Sequence, residues 1–158
     1  PYPLSYNGWG DVLVIIFFGF VPVGGTYYVQ ALTWTPDVTI ASIICGLVID
    51  TLLVVNNYRD READARSGKR TVIVRFGEKF GRYFYLLLGI SASLLCLYFL
   101  REGHIYAALL PQLYLVPHVL TWRRMVKIHS GKKLNSILGE TSRNMLFMGI
   151  LLAIGMIL

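Results

Sequence analysis

Charge is scarce in this chain. Only 15% of its 158 residues are Asp, Glu, Lys or Arg, where a soluble domain usually carries near a quarter. The 55% that are apolar fall in long blocks rather than at helical or strand periods, which points to a bilayer rather than an aqueous core. Cysteine is nearly absent. Cys45 and Cys96 both sit inside apolar blocks without metal-like spacing, and a disulfide does not follow from sequence alone; both read as small packing residues. The chain opens Pro1-Tyr2-Pro3 without initiator Met, basic n-region or cleavage site. No signal peptide is visible, and the abrupt start leads us to expect a missing N-terminal part. The net charge of +6 is clustered between apolar blocks, a membrane pattern and not a nucleic-acid one.

Five apolar blocks can be marked, at Asp11–Gln30, Val38–Val55, Tyr83–Leu100, Ile105–Trp122 and Asn144–Leu158. The first four are long enough to cross ~30 Å of hydrocarbon as helices. The fifth is shorter, and Leu134–Gly139 either extends it or leaves it short. The expected fold class is therefore all-α, a polytopic bundle with helices over about 11–30, 38–64, 78–101, 104–124 and 134–158. Pro22 with Gly24 and Gly25, and Pro111 with Pro117, predict kinks. Trp34, Tyr27 and Tyr28 suit an aromatic belt. His104 and His118 read as structural, and His129 as a solvated loop residue.

Basic residues set the expected orientation. Arg59, Arg61, Arg66, Lys69, Arg70, Arg75, Lys79 and Arg82 separate the second and third blocks, and Arg123, Arg124, Lys127, Lys132 and Lys133 the fourth and fifth. The opposite side has only Arg101. By the positive-inside rule both rich loops and residue 1 are cytoplasmic, in an integral protein of a bacterial-type plasma membrane.

The second block runs on into Asn56-Asn57-Tyr58-Arg59-Asp60-Arg61-Glu62-Ala63-Asp64. On a continuing helix Asp60 and Asp64 share a face, one turn apart, with Asn57 and the deeper Asp50 near the same stripe. Asp50 lies about 15 Å below Asp60 at ~1.5 Å per residue. Like charges at this spacing destabilise a helix by a few tenths of a kcal/mol, so flanking Arg side chains or a divalent cation must offset them. Mg²⁺ commonly joins one or two carboxylates to substrate phosphates. Arg59, Lys69 and Arg70 offer the cations that a diphosphate needs beside the metal. The plainer alternative is a charged turn that marks where the helix leaves the bilayer. A charge at the depth of Asp50 costs about 2.5–3.5 kcal/mol. Asp50 is thus expected inside the bundle or on a wet cavity, touching substrate or hydrogen-bonded to another helix while protonated. Asn56 is a further cavity candidate.

This run, with Gly68-Lys69-Arg70-Thr71 and Val72-Ile73-Val74-Arg75-Phe76-Gly77 after it, resembles the second aspartate-rich motif of the UbiA-type aromatic prenyltransferases. The branch acting on 1,4-dihydroxy-2-naphthoate in menaquinone biosynthesis is the most similar. Pro1-Tyr2-Pro3-Leu4, Gly8-Trp9-Gly10-Asp11 and Gly25-Thr26-Tyr27-Tyr28-Val29-Gln30 also look like that branch. The resemblance implies a nine-helix membrane bundle around a central cavity, of which this chain supplies the fifth to ninth helices. It implies Mg²⁺, with Asp60 and Asp64 as metal ligands, Asn57 supporting them, and Arg59, Lys69 and Arg70 on the diphosphate. The implied partners are a prenyl diphosphate, an aromatic quinone precursor, the bilayer and the missing N-terminal half, with no nucleic acid.

The family's first motif, N-D-x-x-D-x-x-x-D, is absent from this chain, so the isolated chain is expected to be inactive. Other branches, with hydroxybenzoate, homogentisate, chlorophyllide or haem acceptors, stay open, as does a non-enzymatic transporter or scaffold half. CDP-alcohol phosphotransferases are set aside because their D-G-x-x-A-R segment is missing. A reporter fused at Gly68 should remain in the cytoplasm; its appearance outside the cell would reverse the topology.

Overall fold

The computed structural model describes residues 3–158. Pro1 and Tyr2, which begin the P-Y-P-L match and whose cytoplasmic side is an expectation, lie outside the described residues. Every regular element among the described residues is helical. A single 3₁₀ turn, Leu4–Asn7, leads into α1, Gly10–Ala31. Next come α2, Pro36–Arg66, and α3, Val72–Leu100, whose last turn is 3₁₀. The fourth element, α4, spans residues 105–128, and α5 is Leu134–Ile157.

Local chemistry explains most of the boundaries. Thr35 caps α2, its Oγ1 accepting from the Val38 N–H at 3.4 Å, and Pro36 follows in the first turn, where a missing N–H leaves no helical bond unmade. The irregularity expected near Pro22 takes the form of a π-helical stretch, Ile15–Gly25, which accommodates the proline within a continuing helix. In α4 the irregularity falls at Pro111, inside a 3₁₀ segment, Leu110–Tyr114, between the α-helical Ile105–Leu109 and Leu115–Ile128. Pro117 causes no break because it lies in the first turn of the last of these.

Four helices, α1, α2, α3 and α5, are long and apolar enough to cross a membrane. Large apolar side chains such as Phe17, Val29, Leu94 and Val116 point outward, as lipid-facing residues do. The protein is an integral membrane protein. Its interior forms two clusters, one around Ile44, Phe99, Tyr114 and Leu151, the other around Val54, Tyr58, Ile73, Tyr85 and Ile137. His118 is fully buried between the rings of Tyr85 and Tyr114, with Nδ1 3.0 Å from the Tyr114 hydroxyl. Cys45 and Cys96 are free thiols.

At the centre lies α2, which touches α1, α3 and α5. It crosses α1 closely at two glycines. A Cβ on Gly19 would meet the Ser42 carbonyl oxygen at 2.3 Å, and one on Gly46 would meet the Ile15 Cα at 2.9 Å. Small residues let membrane helices approach backbone to backbone, where packing supplies the attraction that water would otherwise provide. Gly19→Ala should therefore cost about 1–3 kcal/mol by overpacking. Gly25→Ala, which meets nothing within 4 Å, should be near neutral. Thermal melting in detergent distinguishes them, and equal melting points would remove the crossing as a stabilising contact.

Candidate active site at the end of the second helix

At ~1.5 Å per residue the 31 residues of α2 span about 46 Å, well beyond a hydrocarbon layer of ~30 Å. Its final turns project from the bilayer and carry the polar run with them. Arg59 organises this end. Its Nε and Nη2 donate to the two oxygens of Asp60 at 2.7 and 2.6 Å, a forked ion pair. Nη2 also donates to Asn56 Oδ1 at 2.7 Å, and Nη1 to Asn135 Oδ1 at 3.1 Å. The guanidinium thus ties α2 to the start of α5. Hydrogen bonds from Arg59, and then its charge, hold the Asp60 carboxyl below the usual carboxylate range.

The G-K-R-T run has a physical reading residue by residue. Gly68 adopts φ +76°, the left-handed position that ends a helix in a Schellman turn. The matching bonds are present: the Lys69 N–H donates to the Asp64 carbonyl at 2.9 Å and the Gly68 N–H to Ala65 at 3.3 Å. That turn folds Lys69 back, so that its Nζ sits 3.2 Å from Asp64 Oδ2. The Arg70 N–H donates to the Tyr6 carbonyl at 2.8 Å while its side chain stays exposed. Thr71 caps α3 by accepting from the Val74 N–H at 3.2 Å.

The structure therefore brings Asn56, Arg59 and Asp60 together, with Asp64 and Lys69 as a second pair one turn on. Asn57 is buried. Arg70 is held by its backbone. Asp50 is fully buried and absent from the trough described below. The helix's like charges are offset by Arg59 and Lys69. Among the described residues no group of three or more His, Cys, Asp or Glu side chains converges as a metal cage.

Sequence reasoning missed a second cluster on the opposite side of α2. The Tyr58 hydroxyl donates to Glu78 Oε1 at 2.9 Å and accepts from Arg82 Nε at 3.0 Å. Glu78 also pairs with Arg61 and Arg82, and His129 Nδ1 lies 2.6 Å from it. His129 is therefore more than a solvated loop residue: it joins α4 to the start of α3. The available signal was Glu78 itself, the lone acid in the basic run from Arg66 to Arg82. Asn135, 76 positions from Arg59, carried no comparable signal.

Below Asn56 a trough of apolar hollows runs down α2 beside α5, the upper one also walled by α1. Its upper part, about 540 Å³, is lined by Val14, Phe18, Leu53, Asn56 and Leu138. Its lower part, about 510 Å³, reaches Ile44, Cys45 and Gly149. Ile49 and Ser142 border both, so the two adjoin end to end along α2.

A membrane bundle with a carboxylate and cation cluster at the head of an apolar trough is built for an amphiphile with an anionic head. The chain belongs to the UbiA prenyltransferase family, whose family model matches residues 1–157. Over 94 residues it is 42% identical to the 1,4-dihydroxy-2-naphthoate octaprenyltransferase of Haemophilus influenzae, a match covering 60% of this chain and 30% of the relative. The Escherichia coli protein of the same name is 40% identical over 95 residues, again 60% of this chain and 30% of the relative. UbiA prenyltransferase domain-containing protein 1 of Dictyostelium discoideum is 30% identical over 158 residues, all of this chain and 47% of the relative. The matches thus span 30% to 47% of these relatives' length. No solved structure matches the chain.

Arg59→Gln should return the Asp60 carboxyl toward its ordinary value, read by carboxyl-carbon NMR titration. With its folded value depressed, Asp60 adds stability that is complete above the usual carboxylate range and is lost as pH falls through the folded value. An unchanged Asp60 titration in Arg59→Gln would show that the fork does not set its charge.

Proposed function

We propose that this chain supplies one half of a prenyl-transfer site, moving a polyprenyl group from its diphosphate to 1,4-dihydroxy-2-naphthoate in menaquinone biosynthesis. The observation that carries this reading is the continuity between the Asn56–Arg59–Asp60 cluster and the apolar trough beneath it. A diphosphate head and a long apolar tail need these two environments end to end. The relatives' names support a naphthoate-type acceptor.

The residues suit a divalent metal in part. Asp60 and Asp64 offer carboxylate oxygens at the water-facing end of α2, as Mg²⁺ prefers when phosphates and waters complete its shell. Both carboxylates are paired with cations, so binding exchanges partners: Arg59 and Lys69 release them and turn to the incoming phosphate oxygens. When bound, Mg²⁺ would neutralise the diphosphate and make it a better leaving group. Arg59, Lys69 and Arg70 hold the diphosphate as it departs with the electron pair of the broken C–O bond. The ring carbon attacks the prenyl C1, a C–C bond forms, and the acceptor's carboxyl group leaves as CO₂. Apolar walls keep water from capturing the electron-poor prenyl carbon. We assign the other half of the site to a partner segment carrying the aspartate-rich motif absent from this chain, and the motif side of the membrane to the cytoplasm.

The test is co-expression with a segment containing that first motif, in membranes supplied with polyprenyl diphosphate and competing aromatic acceptors. Mg²⁺-dependent prenylation of dihydroxynaphthoate is expected, abolished by Asp60→Ala or Asp64→Ala with membrane insertion intact. Absence of turnover from a folded pair would sink the assignment, and retained activity in either variant would remove that residue from the metal site.

A further inference from the structure

Asp11 and Asp50 are absorbed by none of this chemistry, yet they are the most demanding groups in the bundle. Asp50 is fully buried on α2, and Asp11 is 8% exposed in the first turn of α1. Both oxygens of Asp50 and Oδ1 of Asp11 are buried without a hydrogen-bond partner among the described residues. The two helices run antiparallel. A Cβ on Gly10 would lie 3.4 Å from the Leu53 side chain, and further along the crossing Gly46 faces Ile15. Asp11 therefore comes level with Asp50 on the facing helix. Neither residue lines the apolar trough, whose α2 border is Ile44, Cys45, Val48, Ile49, Leu52, Leu53 and Asn56.

Among the described residues no cation pairs with either carboxylate. α1 carries no Lys or Arg. On α2 the first cation is Arg59, about 14 Å further along the axis, and it is committed to Asn56, Asp60 and Asn135. Arg75, near the chain's start, donates to the Asn7 carbonyl at 2.7 Å. On α3, Arg82 is held by Tyr58 and Glu78. His118 of α4 is held by Tyr114 and the Leu86 carbonyl. On α5, Glu140 is paired with Arg124 of α4. Two desolvated carboxylates with three unpartnered oxygens between them cannot both stay charged at this depth. A single proton resolves both faults at once, since a protonated carboxyl donates to its charged neighbour in a short, strong hydrogen bond.

We propose that Asp11 and Asp50 form a proton-binding site, a carboxyl–carboxylate pair that shares one proton and fastens α1 to α2 beneath the prenyl-transfer site. The pair requires only these two helices, so it does not rest on the catalytic reading. Its ligand is a proton, and Na⁺ is the rival occupant.

Membrane vesicles carrying the chain are treated with dicyclohexylcarbodiimide, an apolar reagent that adds to protonated carboxyl groups. Peptide mass mapping then locates the adduct. One adduct per chain on Asp50 or Asp11, indifferent to added Na⁺, is expected. No adduct at either position overturns the proposal, and suppression by Na⁺ reassigns the site to a metal cation and overturns it equally. Thermal melting supplies the second measurement. Asp50→Asn, whose amide still donates to Asp11, should melt near the wild type. Asp11→Ala and Asp50→Ala should each melt several degrees lower, and their double variant little lower than either. Additive losses would show two independent acids and end the shared-proton assignment. Where an alanine variant does not fold, the labelling and the Asp50→Asn melt decide alone.

Discussion

An α-helix satisfies its backbone hydrogen bonds internally, and in a bilayer it has no other way to satisfy them. The continuity of α2 through 31 residues is the constraint from which the rest of this structure follows. A helix that enters lipid at Pro36 and does not break must emerge with its last turns in water. The polar run is therefore delivered at a set height and rotation above the membrane core. Gly68 then ends it in a turn that brings Lys69 back onto Asp64. Each later feature takes its place from that rod: the α1 crossing at Gly19 and Gly46, the trough against α5, and the pairing with α3 through Tyr58.

The cations have two distinct tasks. On one side of α2, Arg59 and Lys69 hold the motif carboxylates in readiness, in contacts open enough to exchange. On the other, Arg61 and Arg82 close around Glu78 and Tyr58 and act as fasteners between helices. A like-charge spacing at Asp60 and Asp64 that would weaken an isolated helix is sustained because each acid has a cation of its own. The same economy does not reach Asp11 and Asp50, whose buried oxygens have no cation partner among the described residues.

Much of this was legible from residue order alone. Long apolar blocks define membrane helices whatever they pack against, because lipid screens every outward face by the same criterion. The spacing of Asp60 and Asp64 sets their shared face as soon as the helix continues, and the G-K-R-T run carries its own turn and cap. Membership of the UbiA prenyltransferase family was likewise readable in the Asn56–Gly77 motif, because that chemistry is local in sequence. The paired carboxylates also left their offset open between Arg side chains and a metal, since sequence does not say which cation arrives first.

What tertiary structure alone decided was partnership across the chain. That Arg59 reaches Asn135, that His129 meets Glu78, and that Asp50 is buried away from the trough all depend on which helices neighbour which, and at what rotation. Contacts between helices in lipid are made by shape, through small residues and interlocking side chains, and shape carries no periodic signature in sequence. The order of residues settled that the chain is a bundle of membrane helices and which end of α2 carries the charged run. Only the packing settled which buried charges are answered by a neighbour and which must hold a proton.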